Sequence, residues 1–119
     1  MKDKSNSSSF KHAFDGIFSA YKTERHLRFH FFVTLFIIIF GFLYKLNRFE
    51  WISILIVIGL VIQAELLNTA VEKLLDYTKP EIHPTAKVIK DIAAGAVLIA
   101  SITAAIVGII IFLPKLLSW

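Results

Sequence analysis

The chain of 119 residues contains no cysteine, only three prolines and only five glycines. Without cysteine, it can form neither a disulfide bond nor a thiolate metal site. The sequence also lacks the two common glycine-rich motifs of soluble phosphate-binding enzymes, GxxxxGKS/T and GxGxxG. Its N-terminal residues are polar and rich in serine, so we expect no cleavable signal peptide. These absences exclude a disulfide scaffold and the usual nucleotide-binding loops of soluble proteins.

Apolar residues, in contrast, are abundant. The hydrophobic fraction is 56% and the mean hydropathy is +0.69, which is too apolar for an ordinary soluble domain. The formal net charge is +4, but the basic residues flank long apolar runs instead of forming one soluble face, which argues against nucleic acid as a partner. The composition predicts one small membrane domain, whose few spans would share the walls of any enclosed site with neighbouring subunits.

The N-terminal region divides into two predicted parts. Residues 1–9 are polar and aperiodic, so we expect a disordered tail. Phe10, Phe14 and Phe18 then recur at helical intervals, with polar residues on the other side. This pattern predicts an amphipathic helix over about 10–24 that lies along the membrane surface. A helix that packs against a soluble partner is the alternative.

Three apolar stretches follow, and each is long enough to cross about 30 Å of hydrocarbon. Pro80 and Pro84 disfavour helix between the second and third stretches, and Pro114 is expected to end the third. We therefore predict an all-α membrane protein in which residues 10–119 form one domain. The predicted transmembrane helices span about 29–46, 50–77 and 90–113.

The distribution of cations predicts the topology. Most of the 13 lysines and arginines lie before position 29 or between Lys73 and Lys90. The positive-inside rule then places the N-terminus and the second loop in the cytoplasm. Trp51 and Trp119 fall at the outer face, where interfacial tryptophans are expected.

A polar stripe interrupts the second predicted span. Glu65, Asn68, Glu72 and Asp76 follow one another at intervals of three or four residues, which places them on one helical face. A carboxylate at membrane depth costs roughly 2.5–3.5 kcal/mol, so it persists where it pairs, binds an ion or lines a polar site. The alternatives are that Glu65 and Asn68 only strengthen helix packing, and that Glu72 and Asp76 are solvated surface charges.

The predicted topology brings further charges to the cytoplasmic surface beside this stripe. Carboxylates near lysines suit Mg²⁺ and nucleotide phosphates, and phosphoryl transfer needs little beyond a metal, positive charge and an aligned nucleophile. We interpret His26 and His30 as interfacial histidines, not as ligands. The additional charges expected at that surface are Glu24, Glu81, Lys90 and Asp91.

Two strings carry a specific resemblance. AELLNTAVEKLLD, followed after a short segment by KDIAAGAVLIA, resembles the small bacterial integral-membrane kinases of the diacylglycerol kinase and undecaprenol kinase family. The resemblance covers about 10–112. It implies a homotrimer with composite active sites between protomers, which uses MgATP to phosphorylate a lipid alcohol in the bacterial cytoplasmic membrane.

The same resemblance implies roles for individual residues. Glu65 matches the catalytic glutamate, which acts on the lipid hydroxyl as general base or positioning group, and Asn68 matches the asparagine beside the reacting centre. Glu24 and Glu72 match the magnesium-binding pair. The chain departs from the family pattern near its N-terminus, where we expect Lys11 to replace an arginine. The residues implied in nucleotide binding are Lys11, His12, Glu24, Glu72, Glu81, His83, Lys90 and Asp91.

The lipid alcohol stays open on residue chemistry, because a polyprenol and a diacylglycerol both present one primary hydroxyl at headgroup depth. The dipeptide His83-Pro84 and the run DIAAGAVLIA resemble the branch of the family that holds undecaprenol kinases. We therefore favour undecaprenol, with diacylglycerol as the alternative. A third hypothesis is a non-catalytic membrane assembly or pore protein whose intramembrane polar residues bind partner helices.

Overall fold

The computed structural model describes residues 6–78 and 83–118, and these residues form four helices without a strand. Three of the helices are long and apolar enough to cross a membrane. The structure therefore confirms the predicted all-α class and the three candidate membrane helices. The helices are α1 (Asn6–Thr23), α2 (Arg25–Leu43), α3 (Arg48–Thr78) and α4 (Pro84–Leu117).

A sharp corner joins α1 to α2 at Glu24, whose backbone is extended (φ −113°, ψ 112°). Arg28 of α2 donates hydrogen bonds from Nη1 to the carbonyl oxygens of Tyr21 (2.8 Å) and Lys22 (3.0 Å). These carbonyls belong to the last turn of α1, where no intrahelical donor remains and a cation is favourable. Leu27, which is fully buried, fills the inside of the corner. The corner brings Glu24 towards α3.

The turn between α2 and α3 is also well defined. Lys45 adopts a positive φ of 56°, so helix α2 ends before the predicted position 46. Asn47 and Glu50 then form a reciprocal capping box, in which Glu50 N–H donates to Asn47 Oδ1 (2.9 Å) and Asn47 N–H donates to Glu50 Oε1 (3.0 Å). Lys115 Nζ lies 3.2 Å from Glu50 Oε2 and links this turn to the end of α4.

Helices α3 and α4 form an antiparallel hairpin. Ion pairs near both of its ends, Asp76 with Lys90 and Glu50 with Lys115, fix the register of the two helices. The small apolar core at the second end contains Leu46, Ile54 and Ile111. Helix α2 contacts α3 but diverges from α4, which leaves an open apolar groove of about 780 Å³ between them. Much of the remaining helix surface is exposed and apolar, as expected for helices that lipid or other subunits cover.

Several predicted helix boundaries differ from those of the structure. Residues 6–9 are helical instead of disordered, because α1 begins at Asn6. Helix α4 continues past Pro114 to Leu117, since a proline near a helix end removes only one hydrogen bond. The first five residues, residues 79–82 and Trp119 lie outside the described residues.

Candidate active site

Glu65 belongs to the buried stripe of α3. Val57, Val61, Glu65 and Thr69 follow at intervals of four residues, and all four are buried. Glu65 retains only 6% of its accessible surface. The stripe that makes α3 pack inward thus carries apolar side chains along most of its length and a carboxylate near its far end. This is the arrangement that the sequence predicts for a site residue in a membrane helix.

His30 of α2 is the partner of Glu65. Its Nε2 lies 3.3 Å from Glu65 Oε1, and the two side chains are 20% and 8% exposed. The interpretation of His30 as a simple interfacial histidine is therefore incomplete, because the structure pairs it with the predicted catalytic residue. One signal pointed to it, since His30 is the sole histidine or charged residue within positions 29–43. The same histidine lines the groove between α2 and α4.

Asn68, one turn beyond Glu65, lies on a different side of α3. It lines a second cavity of about 630 Å³ between α3 and α4, together with Ala96 and Ala100. Its Oδ1 is buried and has no hydrogen-bond partner among the described residues. An unsatisfied buried oxygen costs about 1–3 kcal/mol, so this atom needs a water, a ligand or a second subunit as donor. The predicted single stripe thus divides: Glu65 contacts α2, and Asn68 lies towards α4.

Glu24, at the corner between α1 and α2, is brought to α3. Its Oε2 lies 3.8 Å from Lys73 Nζ, and its side chain is 28% exposed. Glu24 therefore lies beside the turn of α3 that carries Glu72, the residue with which the family resemblance pairs it. Within residues 6–78 and 83–118, no three histidine, aspartate or glutamate side chains group closely enough to hold a metal ion by themselves.

Two lysines of α4 form ion pairs, one with α3 and one within α4. Lys90 Nζ lies 2.7 Å from Asp76 Oδ1 and connects α4 to the end of α3. Lys87 Nζ lies 2.7 Å from Asp91 Oδ2, four residues further along the same helix. Lys90 is the more enclosed of the two lysines, with a side chain that is 38% exposed against 74% for Lys87.

The remaining predicted nucleotide contacts are more scattered. His83 caps α4, because its Nδ1 accepts a hydrogen bond from Thr85 N–H (3.1 Å). Lys11 pairs with Asp15 on the exposed side of α1, and His12 is exposed beside it. Glu81 lies outside the described residues. The structure thus brings Glu24 to α3 beside Lys73 and Lys90 to Asp76 near the end of α3, whereas Glu65 and Asn68 lie further back along that helix.

Fold and site together define a small helical membrane protein with a buried carboxylate in its second long helix. A family model described as prokaryotic diacylglycerol kinase matches residues 11–112. The chain belongs to this family. It is therefore a membrane-embedded lipid kinase, an enzyme that uses a nucleotide co-substrate. This finding favours the kinase prediction over the non-catalytic alternative.

The similar proteins include an undecaprenol kinase and diacylglycerol kinases. The chain is 44% identical over 108 residues to an undecaprenol kinase of Bacillus subtilis (strain 168), with 91% of this chain and 88% of that protein covered. It is 41% identical over 111 residues to a diacylglycerol kinase of Synechocystis sp., with 92% of this chain but only 63% of that protein covered. A diacylglycerol kinase of Helicobacter pylori (strain J99) is 34% identical over 88 residues, covering 74% of this chain and 69% of that protein.

Proposed function

We propose that this protein phosphorylates undecaprenol at the inner face of the bacterial cytoplasmic membrane, with MgATP as phosphoryl donor. The observation that carries this proposal is the buried Glu65, paired with His30 at 3.3 Å where an apolar groove of about 780 Å³ begins. A lipid alcohol has the matching shape, with one hydroxyl for the carboxylate and a long apolar chain for a groove open to the membrane. The 44% identity to an undecaprenol kinase, over 88% of that protein, favours a polyprenol over other lipid alcohols.

In this proposal, Glu65 aligns or deprotonates the lipid hydroxyl. The hydroxyl oxygen then attacks the γ-phosphorus of ATP in line with the departing ADP oxygen. A new oxygen–phosphorus bond forms, the bond between the β,γ-bridging oxygen and the γ-phosphorus breaks, and the hydroxyl proton passes to the carboxylate. Asn68, three residues further along α3, lines the second cavity, and in this proposal its amide acts on the reacting centre from that side.

The nucleotide would lie towards the polar end of the bundle. Glu24 and Glu72 supply hard oxygen ligands, and two carboxylates with substrate phosphates form a common magnesium site in phosphoryl-transfer enzymes. When bound, the ion supplies positive charge to the β- and γ-phosphates. Lys90 would exchange its contact with Asp76 for a phosphate oxygen. The other nucleotide contacts in this proposal are Lys11, His12, Glu81, His83 and Asp91.

The proposed assembly is a homotrimer whose active sites lie between protomers, with the N-terminus in the cytoplasm. The exposed apolar surface of α2, α3 and α4 supports burial against lipid and other subunits. The unpaired Oδ1 of Asn68 supports a site that the single chain leaves incomplete. The cations before position 29 and between Lys73 and Lys90 support the orientation.

Diacylglycerol is the second candidate substrate, because relatives of this name are 41% and 34% identical to the chain. The test is transfer of radiolabelled phosphate from ATP to undecaprenol and to diacylglycerol, presented side by side to purified protein in mixed micelles. We expect the larger kcat/KM for undecaprenol. A larger value for diacylglycerol would overturn the choice of substrate, and transfer to neither lipid would overturn the proposed function. Glu65→Gln serves as the inactive control.

A further inference from the structure

His30 has surroundings that a passive interfacial histidine does not need. Its ring lies near the start of α2, where the Phe29 ring packs edge-on at a centroid distance of 5.7 Å. Its Nε2 faces Glu65 Oε1 at 3.3 Å, and four-fifths of its side chain is removed from solvent. A carboxylate as buried as Glu65 persists at membrane depth when a donor or a cation satisfies it.

Other ionisable groups near this point already have partners or lie elsewhere. On α2, Arg28 bonds the carbonyls of α1, whereas Arg25 and His26 are exposed. On α3, Lys73 pairs with Glu24. Glu72 and Asp76 lie beyond Glu65, nearer the end of that helix. Helix α4 contains no titratable residue at all between positions 92 and 113. Among the described residues, His30 is the ionisable side chain that contacts Glu65. On α1, Tyr21 packs edge-on against Phe31, and Lys22 lies over the Phe18 ring.

We propose that His30 is a positioning residue for the phosphoryl transfer. Its Nε2 lies 3.3 Å from Glu65 Oε1, and as a donor it would fix the carboxylate plane and leave the second oxygen for the lipid hydroxyl. His30 also lines the apolar groove, so it joins the carboxylate to the place where the lipid chain would enter. This inference rests on the proposed role of Glu65. Its physical basis is that a misplacement of about 1 Å in a reacting group can cost about 100-fold in rate.

The test compares side chains that keep or lose a donor at the position of Nε2. Glutamine places its amide nitrogen the same number of bonds from Cα as His30 Nε2, whereas asparagine can mimic only Nδ1. We would therefore measure kcat and KM for His30→Gln, His30→Asn and His30→Leu with undecaprenol, diacylglycerol and MgATP. The matched control is His26→Gln, which changes an exposed histidine on the same helix. Thermal unfolding and elution volume report the folding of each variant.

We expect His30→Leu and His30→Asn to lower kcat about 10- to 100-fold, with the KM for MgATP changed less than about twofold. His30→Gln should recover most of the loss, and His26→Gln should match the wild type. Equal kcat values for His30→Gln and His30→Asn would overturn the inference. This comparison tests the need for a donor at the Nε2 position even if His30→Leu fails to fold. A wild-type rate in Glu65→Gln would overturn the proposed role of Glu65 itself. An inactive Glu65→Gln beside a fully active His30→Asn would overturn the inference about His30 alone.

Discussion

The indole ring of Trp51 on α3 lies directly over Gly41 on α2, so that a Cβ atom added at Gly41 would come within 2.5 Å of Trp51 Cη2. Phe42 packs against the same indole, with ring centroids 4.9 Å apart. The glycine therefore permits a close approach of two helices at the end of the bundle opposite the candidate site. Gly41 is buried, in contrast to most residues of α2.

Replacing Gly41 by alanine should lower the stability of the protein by about 1–3 kcal/mol, because the new methyl group overpacks a rigid aromatic ring. The measurement is the apparent Tm of the purified protein in detergent. Gly59→Ala is the control, since no atom lies within 4 Å of a Cβ added there. That variant should be neutral or more stable, as alanine is the better helix former by about 1 kcal/mol. Equal Tm changes in both variants would contradict the close contact.

Removing the capping box at the start of α3 should lower the stability of the protein without lowering kcat. Asn47→Ala removes the side-chain acceptor for Glu50 N–H and should cost about 0.5–2 kcal/mol. The measurement is thermal unfolding, with kcat determined below the transition. Ser53→Ala is the control, because Ser53 Oγ bonds only a carbonyl of its own helix. A lowered kcat in a folded Asn47→Ala would show that this turn affects the distant site.

Glu65→Gln should reduce kcat by about 10²–10⁴-fold, because the amide cannot accept the hydroxyl proton. Binding of MgATP, followed by calorimetry, should stay near the wild-type value, since Glu65 is proposed to act on the lipid. Glu50→Gln, which changes an acid near the other end of α3, should retain turnover. Weakened nucleotide binding in Glu65→Gln would instead assign this carboxylate to the nucleotide.

Lys90→Gln should weaken the binding of MgATP by about 10- to 100-fold. This is the range expected when one charged hydrogen bond of about 1.5–3 kcal/mol is lost. Lys87→Gln is a matched control one helical turn earlier, because Lys87 pairs with Asp91 on an exposed surface. The measurement is the KM for MgATP at saturating lipid. Similar KM values for both variants would argue against a phosphate contact at Lys90.

Glu72→Ala should weaken nucleotide binding in the presence of magnesium and leave metal-free ATP binding unchanged. The physical reason is that the variant removes an oxygen ligand of the ion and not a contact to the nucleotide itself. Calorimetric titration with ATP, once with magnesium and once with EDTA, measures the magnesium-dependent and the metal-free affinity separately. A drop in affinity of equal size under both conditions would contradict the metal role.

Much of the fold was predictable because apolar stretches of membrane length are local features of the sequence. The three long helices and the break before Pro84 follow from hydropathy and from proline chemistry. The helix ends were less accurate, because local features such as the cap at Ser118 decide where a helix stops and hydropathy does not report them.

The candidate site was predicted as a set of residues on several helices, without their contacts to one another. The contact between His30 and Glu65 depends on how α2 is rotated against α3, which helical periodicity does not specify. For the same reason, the division of Glu65 and Asn68 between two sides of α3 was not predicted. The pairing of Glu24 with Lys73 requires the corner between α1 and α2, for which the sequence offered no clear signal.

That corner has a mechanical consequence. Glu24 is the single residue between α1 and α2, so a change in the angle between these helices would alter the torsion angles of Glu24 and the hydrogen bonds of Arg28 to the end of α1. The hinge and the carboxylate are the same residue, and a tilt of α1 would carry that carboxylate towards or away from α3. A change in lipid charge or thickness that reorients α1 would therefore reach the polar end of the bundle directly, without any relay through the helices.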